Sequence, residues 1–155
     1  MKTSEKLCLT IGLAVLTAAA GASQEQRVKM ADLPAAVRAT VKAQSVGAKI
    51  RGFSKEVENG KTLYEAEMTV NGHGKDIEMD STGAVVEVEE EVNFGSIPEA
   101  ARSAIKKGAA GGKVLKVESV THGTTLVAYE AAVSKAGKHS EVRVDPEGKP
   151  APESD

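Results

Sequence analysis

Tryptophan is missing from this 155-residue sequence, and the aromatic total is two Tyr and two Phe. A core built from such a chain must be aliphatic, and any binding surface lacks the aromatic anchors that dominate most interaction hot spots. Cysteine occurs once, at Cys8. Cys8 sits in a segment expected to be lost on export, so a disulfide is excluded from the exported protein even in an oxidising compartment. Positive charge is not in excess either, with 20 basic residues against 22 acidic ones. Nucleic acid, which calls for a basic stripe, is excluded as a partner on that ground.

Long apolar runs are also scarce. The one candidate, Leu7 to Ala20, is shorter than the roughly 20 residues a membrane span needs. Lys2 and Lys6 precede it, and the small residues Ala20-Gly21-Ala22 follow. That order reads as a cleaved secretory signal peptide over residues 1–22, with a retained anchor as the alternative. Cleavage leaves 18 basic and 21 acidic residues, a net charge of about −3, and implies a periplasmic or secreted protein with no membrane attachment. Residues 23–31 are polar and without period, and are expected to form a disordered lead.

What the chain does have is a duplication. Tyr64-Glu65-Ala66 returns as Tyr129-Glu130-Ala131, Gly72 as Gly137, Ile77 and Met79 as Val142 and Val144, and Asp80 with Gly83 as Asp145 with Gly148. Upstream of each copy lies a helical pattern. Leu33, Val37 and Val41 recur at i, i+4 and i+8, with Asp32 as expected N-cap and Pro34 in the first turn. Ile97, Ala101 and Ile105 repeat that spacing behind Ser96-Ile97-Pro98-Glu99, a capping-box pattern. Arg102 and Lys106 match Arg38 and Lys42.

Each helix precedes strand patterns. Lys49 to Val57 reads as a bulged strand, and Asn59-Gly60 as a hairpin turn. Tyr64, Ala66, Met68 and Val70 then alternate with Glu65, Glu67 and Thr69. Asn71-Gly72 reverses the chain, with His73-Gly74 near the tip. Ile77 and Met79 point inward against Asp76 and Glu78, and Asp80-Ser81-Thr82-Gly83 has the residues of a type I turn. Val86 and Val88 follow, alternating with Glu87 and Glu89. In the second copy Val114 to Val120, Leu126 to Val133, and the strand holding Val142 and Val144 take the same places. Pro150 and Pro152 leave its fourth strand short or absent.

The expected fold class is therefore α+β, as two tandem repeats, each with an N-terminal helix packed on a three- to four-stranded antiparallel meander. Residues 32–92 form the first repeat, 93–149 the second, and 150–155 a disordered tail. Two copies can share one sheet or form lobes joined by Glu89 to Gly95. The acidic run Glu87, Glu89, Glu90 and Glu91 favours a solvated junction.

The order of Leu-Pro or Ile-Pro helix start, Tyr-Glu-Ala strand, Gly apex, alternating Ile/Val and Asp-x-x-Gly resembles the PepSY-like family, also described as β-lactamase-inhibitor-like. The resemblance covers almost all of the exported chain, in two copies. It implies an extracytoplasmic protein whose relatives bind and inhibit, or help fold, exported enzymes through hairpin loops and the open sheet face. Both apices here, Asn71-Gly72-His73-Gly74 and Lys135-Ala136-Gly137-Lys138-His139, lack aromatic residues. A protein-binding role, rather than β-lactamase inhibition, is what carries over.

No catalytic constellation accompanies the repeat. Gly108 to Lys113 is one residue short of a phosphate loop and leads from helix to strand, the reverse of the required order. No Ser or Cys stands in a nucleophile-elbow context. His73, His122 and His139 each sit beside a turn without metal-ligand spacing, so they read as exposed loop residues. Neither cofactor nor metal is expected, and the chain is not expected to be an enzyme.

Glu65, Glu67, Asp76 and Glu78 should share the outward face of adjacent strands, with Lys49, Arg51, Lys61 and Lys75 as neutralising neighbours. The matching face of the second copy, with Glu130, Ala132, Glu141 and Arg143, is less acidic. The expectation is an exported non-enzymatic binding module that modulates another extracytoplasmic protein. Its candidate contact residues are Glu65, Glu67, Asn71, His73, Asp76, Glu78, Lys138 and His139. The alternative is a periplasmic small-ligand or divalent-cation-binding protein using the acidic face of the first copy.

Overall fold

The computed structural model describes residues 25–58 and 60–152, and the expected signal peptide lies outside them. In chain order the elements are β1 (Gln26–Val28), α1 (Ala35–Gln44), β2 (Lys49–Glu58), β3 (Lys61–Val70), β4 (His73–Asp80), β5 (Val85–Glu91), α2 (Glu99–Gly108), β6 (Lys113–His122), β7 (Thr125–Lys135) and β8 (Lys138–Val144).

Alternation drives the strands. In β3 and β4 the residues Ala66, Met68, Ile77 and Met79 are buried, while Glu65 stands opposite Glu78 and Glu67 opposite Asp76 on the other face. Asn71 (φ 52°) and Gly72 (φ 90°) both adopt left-handed backbone, as a two-residue turn matched to strand twist requires. On α1, Leu33 at the entry with Val37 and Val41 packs on Phe53, Ala66, Met68, Ile77 and Met79. On α2, Ile97, Ala101 and Ile105 pack on Val117, Tyr129, Ala131 and Val144.

The strands form one eight-stranded sheet in the order β1 to β8, every neighbouring pair antiparallel. This overturns the expected α+β class of two helix-on-sheet repeats. The acidic run read as a solvated junction is the reason. Glu89, Glu90 and Glu91 belong to β5 and pair with Val120, Ser119 and Glu118 of β6. Pairing satisfies two strand edges that separate sheets would leave open. The Val92 N–H also donates to the Val117 carbonyl at 2.9 Å, which extends the pairing past the end of β5.

Other local expectations also change. Gln26–Val28, read as disordered lead, pairs with Phe53, Ser54 and Lys55, and Val28 packs against the first core. Asp32 does not cap α1. It closes a short turn by accepting the Lys29 N–H at 3.2 Å, and Pro34, which has no N–H to satisfy, is the N-cap. The capping box of α2 does not form either: Ser96 Oγ donates to the Asn93 carbonyl at 2.7 Å, and Pro98 is the N-cap. Instead Arg102 Nη1 donates to the Gly95 and Ile97 carbonyls (2.7 and 3.3 Å), as Arg38 does to Leu33 (2.5 Å). A bulge in β5 places Val85 rather than Val86 opposite Met79 and against the core. Pro150 forms an isolated bridge with Val144 where a disordered tail was expected to begin.

Register places both helices on one face of the sheet, because Ile77 pairs with Val88, Val88 with Thr121, and Val117 on the same side of β6 with Ala131. No helix among the described residues is long and apolar enough to cross a membrane.

Candidate functional site

The face without helices is lined by carboxylates. Across it, Glu78 stands opposite Glu87 and Asp76 opposite Glu89; Glu91 opposite Glu118; Glu118 opposite Glu130. Directly opposed like charges destabilise a sheet, so each needs a partner or a proton.

Several partners are present. Arg51 Nη2 reaches Asp76 Oδ1 at 2.7 Å, and the Met68 N–H donates to the same oxygen at 3.3 Å. Ser54 Oγ donates to Glu65 Oε2 at 2.7 Å, and Arg27 pairs with Glu67. Lys116 holds Glu118 Oε2 at 2.7 Å. Arg143, only 10% exposed, extends from β8 to Glu130 at 3.2 Å and to Glu87 of β5 at 2.9 Å. His122 Nε2 lies 2.8 Å from Glu87 Oε2. Between β2 and β5 these groups border an open cleft of about 200 Å³, lined by Ser54, Glu65, Asp76, Glu78, Glu87 and Glu89.

Burial and mutual repulsion act on the carboxyls. Glu89 is pushed up to about 8, first by burial and then by Glu130, Glu118 and Glu87, against an opposing pull from Arg143. Glu65 is raised by burial despite its bond from Ser54. Glu130 is raised by burial and by Glu141, with Arg143 opposing. The face thus holds carboxyls whose ionised form a cationic ligand would stabilise.

The structure brings Glu65, Glu67, Asp76 and Glu78 together on this face, as the alternation predicts. Asn71 and His73 lie at the β3–β4 apex and Lys138 and His139 at the β7–β8 apex. The antiparallel order puts both apices at the same end of the sheet. Four strand spacings separate β4 from β8, about 19 Å at about 4.8 Å each, so His73 and His139 do not share a ligand. Of the expected neutralising residues Arg51 takes that part, whereas Lys75 pairs with Glu90 at 2.7 Å.

Sequence reasoning missed the centre of the face: Glu87, Glu89 and Glu118 with Arg143 and Lys116. Their alternation with buried neighbours was visible. Their burial was not, because it depends on β5 joining β6.

No family model matches the chain, and no curated protein sequence matches it. Solved structures do match. One is a protein from Bacteroides eggerthii provisionally named periplasmic, with a TM-score of 0.58 at 16% identity, covering 76% of this chain and 85% of that one. Another is a DUF2874 family protein from Bacteroides uniformis, with a TM-score of 0.56 at 20% identity, covering 76% and 85%. A third is a BLIP-like protein from Bacteroides fragilis, with a TM-score of 0.52 at 19% identity, covering 78% and 85%.

The chain has a BLIP-like fold. At these identities the likeness extends to the backbone architecture alone. The acidic centre of the uncovered face is therefore argued from this chain's own residues.

Proposed function

We propose that this chain is an exported, non-enzymatic binding module that takes a basic segment of another extracytoplasmic protein on its uncovered sheet face. The PepSY-like reading of the repeat and the periplasmic naming of a structural neighbour support export. The observation that carries the binding reading is the uncovered face itself. It carries buried and half-buried carboxylates from β3 to β7 that border an open cleft. Glu65, Glu89 and Glu130 are raised in proton affinity first by burial and then by neighbouring carboxylates. Arg or Lys side chains entering the cleft would replace protons with charge-assisted hydrogen bonds. The apices Asn71-Gly72 and Ala136-Gly137 flank that face at one end and would contact the same partner.

The test compares immobilised wild-type protein with a Glu67→Lys, Glu78→Lys variant in capture from periplasmic extract, followed by cross-linking and peptide mapping. A partner held by the wild type, cross-linked to β3–β5 and lost in the variant is the expected result. Equal capture by both proteins would overturn the assignment of the face, and no capture at any ionic strength would overturn the binding reading.

A further inference from the structure

We propose that Asp76, Glu89 and Glu118 form a binding site for a hard divalent cation of the calcium class at the centre of the uncovered face. One ligand oxygen from each lies within 4.8 Å of the other two. Calcium binds oxygen at about 2.3–2.6 Å, so ligands on opposite sides of one ion stand about 5 Å apart, and this trio fits within a single coordination sphere.

The three come from adjacent strands β4, β5 and β6, so the paired backbone holds their spacing. A cluster of carboxylates alone would not make a site. Glu118 supplies the further observation. It is 4% exposed, and while Oε2 accepts Lys116, Oε1 is sealed from solvent with no hydrogen-bond partner among the described residues. A buried carboxylate oxygen without a partner carries a full desolvation cost, and such exceptions call for an ion or ordered group.

Room for one is present. Gly74, on the same face of β4 as Asp76, has no side chain to crowd this oxygen, and a β-carbon there would stand 3.9 Å from Glu118 Oε1. Each ligand already has a cationic neighbour: Arg51 at Asp76 Oδ1, Lys116 at Glu118 Oε2 and, at 3.9 Å, Arg143 at Glu89 Oε1. Each is met at one oxygen, which leaves the second carboxylate oxygen for a metal.

The donor set decides the class. Three carboxylates without imidazole or thiolate select a hard ion over zinc or copper. Magnesium demands near-ideal octahedral geometry and gives up its waters reluctantly, whereas calcium accepts irregular sets with mono- and bidentate carboxylates. A second acidic trio, Glu25, Glu65 and Glu67, is exposed to half-buried and has no buried oxygen without a partner among the described residues.

The proposal does not depend on a protein partner. Calorimetry of the purified chain, stripped with chelator and titrated with calcium chloride, tests it alone. One saturable site is expected, in the range of about 10⁻⁴–10⁻³ M typical of extracellular calcium modules. Glu118→Gln should weaken binding at least about tenfold while remaining folded by circular dichroism, since it keeps the shape and removes a buried charge. If Glu118→Gln fails to fold, Asp76→Asn serves the same comparison. Glu99→Gln, exposed in the first turn of α2 and away from this face, should bind as the wild type does. No saturable heat up to about 10 mM calcium would overturn the proposal. So would undiminished binding by the folded variant, or magnesium binding as tightly as calcium.

Discussion

Gly83 rests on the backbone of Ala36. A β-carbon added to Gly83 would stand 2.7 Å from the Ala36 carbonyl oxygen, and Gly148 repeats the arrangement with Ala100 at 2.6 Å. Thr40 Oγ1 donates to the Gly83 carbonyl at 2.6 Å, so the first Asp-x-x-Gly turn is also the seat of a helix.

Substitution at these seats should therefore be costly. Both glycines have left-handed φ, +80° and +82°, and both lack space. Gly83→Ala or Gly148→Ala should destabilise by about 2–4 kcal/mol, backbone strain and overpacking together. Gly111→Ala, at φ +83° with nothing within 4 Å, should cost only the strain, about 1–2 kcal/mol. Urea denaturation midpoints check the difference.

The β7–β8 apex offers the opposite opportunity. Ala136 is held at φ 50° beside Gly137 at 78°, where the first apex has Asn71. Ala136→Asn should stabilise by about 0.5–1 kcal/mol, because Asn tolerates the left-handed region and Ala does not. Thermal denaturation reads this directly.

Arg143 ties β8 to β5 and β7 through Glu87 and Glu130, all three side chains being at most 16% exposed. Arg143→Met should cost about 3–5 kcal/mol at neutral pH, because it strands buried carboxylates. The penalty should be smaller at pH 5 than at neutral pH, because burial favours the protonated form of Glu130. Denaturation at both pH values tests it.

Stability should fall as pH rises. Glu65, Glu89 and Glu130 all have folded pKa values above their ordinary ones, so the folded state binds more protons than the unfolded chain. Their contribution is most favourable below the unfolded carboxyl range, about 4.3, and declines through the Glu89 value of about 8. In chelator-treated protein the melting temperature should drop across that window. A Glu65→Gln, Glu130→Gln double variant should flatten the profile, and an unchanged slope would rule out these groups as the cause.

Much of this was legible because burial here follows strand period. Tyr64, Ala66, Met68, Ile77 and Met79 line the α1 core as their alternation indicates, and Glu65, Glu67, Asp76 and Glu78 share the opposite face. The pairing of β5 with β6 was not legible. Glutamates at 87 and 89–91 look solvated when read locally, and only the neighbouring strand turns Glu87 and Glu89 into a buried part of a site. Glu118 was invisible for the same reason, one Glu in a strand whose neighbour could not be read from the sequence. The Asp-x-x-Gly turns were recognised as turns, but their contact with the helices is a tertiary fact.

At its far edge the sheet ends under proline. Val144 bridges Pro150, and the Ala151 N–H returns to the Arg143 carbonyl at 3.2 Å. Proline offers no N–H beyond that bridge, and the exposed flank of β8 begins with Lys138 and His139. At the other edge β1 is three residues long. A ninth strand from another molecule would find neither border a ready template. A meander open at both ends is thereby protected against growing into a fibre.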